Sequence, residues 1–221
     1  MNASLARRLA AEAIGTAFLL AIVIGSGIMG DRLSNGIPAI ALLANSLATG
    51  CGLGVLILAF AGISGSHFNP VVTVVAAVER DLSWGEVVPY VSVQVVAAIT
   101  GVMAAHAMFA QPALLSASSK IRTGPSQWLA ESIATFGLVL VVLLCNRQRS
   151  RWTPLAVAAY ITAAYWFTSS TSFANPAATV ARSLSDTYAG IRPEDVGGFV
   201  AAQVLGATMG VWVARFFGSL R

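Results

Sequence analysis

The segment Asn69-Pro70-Val71-Val72-Thr73-Val74 returns as Asn175-Pro176-Ala177-Ala178-Thr179-Val180, 106 positions further along the chain. An Asn-Pro pair has a physical use at a helix start. Pro is tolerated at the first helical position, where an N–H would go unpaired anyway, and the Asn oxygen accepts from the free donors of the first turn. The aligned peptide dipoles leave such an end with about half a positive charge. Each copy sits in a short apolar stretch opened by breakers: Gly62, Ser64, Gly65 and Ser66 before the first, and Thr168 to Ser172 before the second. The chemistry on offer is hydrogen bonding and electrostatics, without bond making. Two such starts in a very apolar chain predict two half-helices that face each other within a membrane and enclose a pore for neutral molecules.

The elements that must hold them follow from composition. Hydrophobic residues make up 57% of the 221 and charged residues 10%, with a net charge of +4 and a mean hydropathy of +0.77. A soluble domain carries about 25% charge, so the chain reads as an integral membrane protein. The positive balance reads as basic cytoplasmic loops and not as a nucleic-acid surface, because no patch of interleaved aromatic and basic residues accompanies it. Cys51 and Cys145 both lie in apolar stretches, which argues against a disulfide framework. Arg7 and Arg8 before an apolar run imitate a signal peptide, but the run continues to about Gly30 and reads as an uncleaved first span.

At about 20 residues per crossing, spans are expected near 9–30, 37–60, 86–109, 127–145, 154–168 and 195–217. Stretches too short to cross are expected at 69–78 and 175–185. The polar segment 111–126 divides the chain into a first repeat, about 1–110, and a second, about 127–221. Ala11-Glu12-Ala13-Ile14-Gly15-Thr16 resembles Ala130-Glu131-Ser132-Ile133-Ala134-Thr135, and Gln94 to Ala98 resembles Gln203 to Ala207. Three spans per copy is an odd number, so the second copy must run inverted. The expected fold class is therefore all-α membrane protein: six transmembrane helices plus two re-entrant half-helices, an inverted 3+3 repeat around a central pore. Arg7, Arg8, Arg80, Arg147, Arg149, Arg151, Arg215 and Arg221 fall on one side, against Arg32, Lys120, Arg122, Arg182 and Arg192 on the other. The larger basic count places both termini in the cytoplasm and the protein in the plasma (inner) membrane.

These residues together resemble the aquaporins of the major intrinsic protein family over essentially the whole chain, most strongly at 64–74 and 171–180. The resemblance implies a six-helix bundle, usually a homotetramer with one pore per subunit, embedded in lipid and passing water and small neutral solutes. No cofactor, metal or nucleic acid is implied. It also implies that Asn69, Pro70, Val71, Asn175, Pro176 and Ala177 are the pore boxes, the first of them reading Asn-Pro-Val. A filter arginine is expected after the second box, where this chain has Ala178. Arg182 stands one helical turn further on, either facing the mouth and a neighbouring loop or reaching back to the filter. The other filter positions carry over as Ser172, Ala163, and either Cys51 (from the stretch at 52–55) or Thr49 (by strict counting). All are small, so the mouth is expected to be wide and free of large aromatics. That pattern resembles the bacterial metalloid or aquaglyceroporin-like branch.

In such a pore the Asn69 and Asn175 amides donate to a passing oxygen. Carbonyls of Ser66, His67 and Phe68, and of Ser172, Phe173 and Ala174, accept in place of lost water. Opposed helix ends raise the energy of a cation at the centre, so proton exclusion is expected to be reduced without the arginine but not abolished. Glu12, Glu131, Gln94 and Gln203 are expected to be structural, bonding the backbone of the broken segments, and His67 to pack beside the pore. His106 is expected at the interface, and Cys51 is the thiol with which a thiophilic arsenical would react. An enzyme is excluded by the lack of a base–nucleophile pair, and an ion channel by the lack of charge rings. The rival is an ion- or proton-coupled secondary transporter, which would also show an inverted repeat.

Overall fold

A computed structural model describes residues 3–148 and 150–218. Arg149 and Arg221, two of the basic residues counted above, lie outside the described residues. Within them the chain folds into eight α-helices: α1 Leu5–Leu33, α2 Pro38–Ser64, α3 Pro70–Val78, α4 Trp84–Met108, α5 Pro125–Arg147, α6 Thr153–Phe167, α7 Pro176–Arg182 and α8 Val196–Gly218. Five of them, α1, α2, α4, α5 and α8, are long and apolar enough to cross a bilayer. The stretch expected to supply another span, α6, has 15 residues and so rises only about 22 Å. Thr168 leaves the helical region at its end with ψ 137°, which sets the limit.

The packing has the same form in both halves. α1 packs on α2 and α4, α5 packs on α6 and α8, and α2 lies against α6. The short helices cross between the halves, α7 onto α4 and α3 onto α8. The closest approaches are made at glycines. A Cβ on Gly101 of α4 would stand 2.2 Å from the Ala17 carbonyl oxygen of α1, and one on Gly206 of α8 would stand 2.2 Å from that of Ser132 of α5. Large apolar side chains such as Phe18, Val55, Leu58, Val88, Val96 and Trp212 stay exposed on the outer surface, as expected of helices whose surroundings are hydrocarbon.

Ion pairs tie one face together. Arg8 pairs with Glu86, and Glu79, at the end of α3, pairs with both Arg147 at 3.0 Å and Arg215 at 2.9 Å. The start of α1 and the end of α8 therefore lie on the same face. On the opposite face, the segment expected to be an internal boundary is pinned. Ser116 and Ser118 donate backbone bonds to Leu184 and Ser183, and Arg192 donates to Lys120. His106 is not interfacial: it is buried, with Nδ1 2.9 Å from the Leu114 carbonyl and Nε2 2.8 Å from Ser185 Oγ. It is held there because the linker and the 183–190 loop fold over the end of α4.

Candidate functional site

α3 and α7 start from the two asparagines. Asn69 is extended (φ −157°), and its Oδ1 accepts from the Val71 N–H. Asn175 (φ −156°) accepts from Ala177 and Ala178. Each side-chain amide then crosses to the other segment: Asn69 Nδ2 donates to the Ala174 carbonyl at 2.7 Å and Asn175 Nδ2 to that of Phe68 at 2.8 Å. The two helix N-termini therefore meet. One proton of each amide, and one lone pair of each of these two carbonyls, is committed to this junction; the others stay available.

The segments leading into the asparagines are held by carboxylates. Glu12 accepts from the backbone N–H of His67 (2.9 Å) and Phe68 (2.7 Å), from Ser64 Oγ (2.7 Å) and from Gln94 Nε2 (2.8 Å). Glu131 accepts from Phe173 (2.8 Å), Ala174 (2.9 Å) and Gln203 Nε2 (2.7 Å). Gln94 and Gln203 also reach Thr73 and Thr179, each at 2.9 Å, and those hydroxyls bond the Asn69 and Asn175 carbonyls. Drawing the amides back turns several residues left-handed: Ser66 (φ 52°) and Phe68 (49°) in the first segment, Thr171 (61°), Ser172 (49°) and Ala174 (47°) in the second. Each such non-glycine residue costs roughly 1–2 kcal/mol, offset here by charge-assisted bonds to a buried carboxylate worth about 1.5–3 kcal/mol each. Gly65, in the left-handed region at φ 90°, ends α2 and begins the first segment.

These segments form the wall of a cavity of about 650 Å³. Its lining runs from Arg182, Tyr165 and Thr49, past both asparagines, to Asn146, Ser150, Arg151 and Asp81. Gly65 to Asn69 and Ser172 to Asn175 form a polar line along it. Leu19, Val23, Leu53, Ile57, Val72, Leu138, Val142, Val157 and Ile161 supply the apolar remainder. Glu12 and Glu131 are fully buried behind the wall and do not line it. His67 lines it, with Nδ1 3.2 Å from Thr73 Oγ1 and its ring 5.4 Å from that of Tyr90.

Two of the expected filter positions are corrected. Cys51 is exposed on the outside of the bundle, and Thr49 lines the cavity. Ala163 likewise faces outward, while Tyr165 lines the cavity and its hydroxyl lies 3.3 Å from Thr49 Oγ1. The reason is helical register. The cavity stripe of α2 is Thr49, Leu53, Ile57 and Ala61, and that of α6 is Val157, Ile161 and Tyr165. Cys51 and Ala163 stand two residues off these stripes, on the far side of their helices. Strict counting back from the first box selects Thr49, the residue found in the wall, whereas the alignment of the 52–55 stretch selects Cys51. The mouth is therefore not uniformly small and uncharged. Tyr165 and Arg182 join Ser172 and Ala178 in its wall, and Ser172 Oγ is buried without a hydrogen-bond partner among the described residues.

The sequence profile of the family described as "Major intrinsic protein" matches residues 1–172. The chain is 50% identical to the aquaglyceroporin AqpS of Rhizobium meliloti (strain 1021), over 96% of this chain and 90% of that one. It is 36% identical to the glycerol uptake facilitator protein of Bacillus subtilis (strain 168), over 52% of this chain and 47% of that one. Among solved structures, the aquaglyceroporin from Plasmodium falciparum superposes with a TM-score of 0.72 at 17% identity, covering 97% and 96% of the two chains, a likeness of fold. The chain belongs to the major intrinsic protein family. It is a membrane channel, and not an enzyme.

Proposed function

We propose that the chain passively conducts water and small neutral polyhydroxy solutes, glycerol-like polyols and neutral metalloid hydroxides such as arsenous acid among them. The observation that carries this reading is the asymmetry of the cavity wall. Between the polar ends of the cavity, the segments Gly65 to Asn69 and Ser172 to Asn175, with their two asparagine amides, form one polar line along a wall otherwise made of Leu, Ile and Val. A solute that carries hydroxyls on a small carbon or metalloid centre exchanges its water for that line, while its less polar side lies on Leu, Ile and Val. AqpS is described as an aquaglyceroporin and the Bacillus subtilis relative as a glycerol uptake facilitator, which supports the polyol half of the proposal. The wall has the small Ala178 beside the second box, next to Arg182.

In this reading α3 and α7 are re-entrant half-helices, each entering from a different side, and 1–110 and 127–221 are inverted repeats. The shared pattern of Glu12 and Glu131, Gln94 and Gln203, and Gly101 and Gly206 supports it. The pore boxes are Asn69-Pro70-Val71 and Asn175-Pro176-Ala177. The face that holds the start of α1, the end of α8, Arg80, Arg147, Arg151 and Arg215 is cytoplasmic, and the protein works in the plasma membrane as a homotetramer with a pore in each subunit. A coupled transporter would need a titratable group in the route at mid-depth; the carboxylates Glu12 and Glu131 are instead hydrogen-bonded behind the wall, and the titratable group in the wall, His67, is packed on Tyr90 with Nδ1 at Thr73.

The test is osmotic light scattering on proteoliposomes loaded with the purified chain, for water, glycerol and arsenous acid. Flux of all three above empty vesicles is expected. Ala178→Arg, which fills the wall beside the box, should cut glycerol passage about tenfold while sparing more of the water flux. Unchanged glycerol flux in that variant would remove Ala178 from the filter.

A further inference from the structure

Lys120 is the chain's one lysine; the other twelve of its 13 lysines and arginines are arginines. It lies in the 111–126 linker between the two halves. Its Nζ donates to the Tyr188 carbonyl at 2.6 Å and stands 4.5 Å from the centre of that residue's ring. The next two carbonyls also take cations. Ala189 accepts from Arg182 Nε at 2.5 Å, and Gly190 from Arg122 Nε at 2.8 Å. Three consecutive peptide oxygens therefore draw three positive side chains onto one short stretch of loop. Among the described residues none of the three makes an ion pair. Asp31 acts on Lys120, and Glu131 on the two arginines, only from a distance. Asp195 accepts from the Arg122 backbone N–H and is itself paired with Arg192. The donors are not all used. Lys120 gives one of three ammonium protons to Tyr188, and Arg122 Nη2 has no protein partner and is open to solvent. Burial, with Arg122 and Arg182 beside it, pulls the Lys120 ammonium down to about 8.

We propose that Lys120 and Arg122 form a binding site for a small tetrahedral oxyanion, of the sulfate or phosphate class, at the rim of the Thr49–Tyr165 end of the cavity, and that its occupant slows the entry of solutes. Like charges gathered this closely repel one another, and neutral carbonyls offset that only in part. A doubly charged anion relieves the repulsion and takes up the idle N–H groups in one step. A guanidinium offers it a planar fork and an ammonium a point charge, both suited to tetrahedral oxygens. Arg182 shares the row of carbonyls with Lys120 and Arg122 and also lines the cavity, which sets the site at the rim. The binding stands without the channel reading; the slowing rests on it.

Binding is read by calorimetry on the detergent-purified full chain, with sodium sulfate as the probe and sodium chloride at matched ionic strength as the blank. Lys120→Met should weaken sulfate binding about tenfold, the order that one charged contact gives, and Lys120→Arg should keep the wild-type affinity. Raising the pH past about 8 discharges the Lys120 ammonium, so wild-type affinity should fall, while Lys120→Arg stays level because sulfate keeps its charge. Sulfate heat no greater than that of chloride overturns the proposal, as does an affinity that Lys120→Met leaves unchanged. Lys120→Glu takes its place if the Met variant is not monodisperse. Glycerol entry into proteoliposomes is then measured with sulfate outside. It should slow for the wild type and not for Lys120→Met; bound sulfate with unchanged entry overturns the slowing. A lipid phosphate has the same chemistry, so the vesicles are made from zwitterionic lipid alone and again with an anionic phospholipid added. A sulfate effect equal in both shows a free ion as the occupant, and one lost in the second shows the headgroup; either keeps the site. Wild-type vesicles that pass no glycerol without sulfate would sink the channel reading and leave the calorimetric result standing.

Discussion

A carboxylate with no room to move is the residue on which each half of the site depends. Glu12 holds two backbone amides, a hydroxyl and a glutamine, and in doing so holds Ser66 and Phe68 in the left-handed region. Glu12→Gln replaces one acceptor oxygen with a donor that meets other donors. It should cost about 2 kcal/mol or more, read as a lower melting temperature of the detergent-purified protein; a melting temperature equal to the wild type's would contradict the role. The role of Glu12 and Glu131 was legible in the sequence because both sit in matched blocks, one before each broken segment. The filter was less legible. Cys51 was reached by aligning the stretch at 52–55 and Ala163 by counting back from Asn175, whereas the wall is set by the angular position of Thr49 (the alternative that strict counting gave) and Tyr165 on their helices. Thr49→Trp should therefore abolish glycerol flux in vesicles, while Cys51→Ser should leave arsenous acid flux at the wild-type level. The reverse pattern would restore Cys51 to the filter. Lys120 adds a pH dependence: burial, with Arg122 and Arg182 near it, pulls its ammonium down to about 8. Below that pH the group is charged both folded and unfolded, and its burial costs stability. Between about 8 and its ordinary 10.5 only the unfolded chain keeps the proton, so stability from this group rises with pH. Melting temperatures of the wild type should gain on those of Lys120→Met across that window; parallel curves would contradict it.

At the scale of elements, two small-residue crossings set how closely the long helices approach. The Cβ of any larger residue at Gly101 or Gly206 would fall 2.2 Å from a carbonyl oxygen of the facing helix, and backbone on both sides leaves little to yield. Gly101→Val should therefore force α4 off α1 and, with it, shift Gln94 away from Glu12. We expect a loss of several kcal/mol, beyond the 1–3 typical of overpacking, seen as little monodisperse protein on size exclusion. Gly85→Ala, where a Cβ meets nothing within 4 Å, is the control and should express normally. Helix existence was legible because breakers and charges punctuate the apolar runs, and the short helices because Asn-Pro marks their starts. The bounds of α6 were legible too, because the breakers from Thr168 to Ser172 follow it directly and Thr168 turns extended at its end. The folding of the 111–126 segment onto the 183–192 loop was hidden: the backbone bonds that pin it leave no pattern in side-chain type.

Across the whole molecule, the two short helices bind the halves together. Each asparagine completes the other half's broken segment, so neither half contains a finished wall by itself. The same junction divides the cavity into an end bearing Arg182, Tyr165 and Thr49 and an end lined by Asp81, Asn146 and Arg151. The pairing of the boxes could be read from one sequence because the two segments remain alike where the bonds are made. The central claim is a permanent passive route along that seam, and glycerol flux into proteoliposomes tests it most directly. The account predicts a rate that rises in proportion to the gradient and is unmoved when ionophores collapse the proton and sodium gradients. A rate that saturates and vanishes with the ionophores, or one no faster than that of protein-free vesicles, would contradict it.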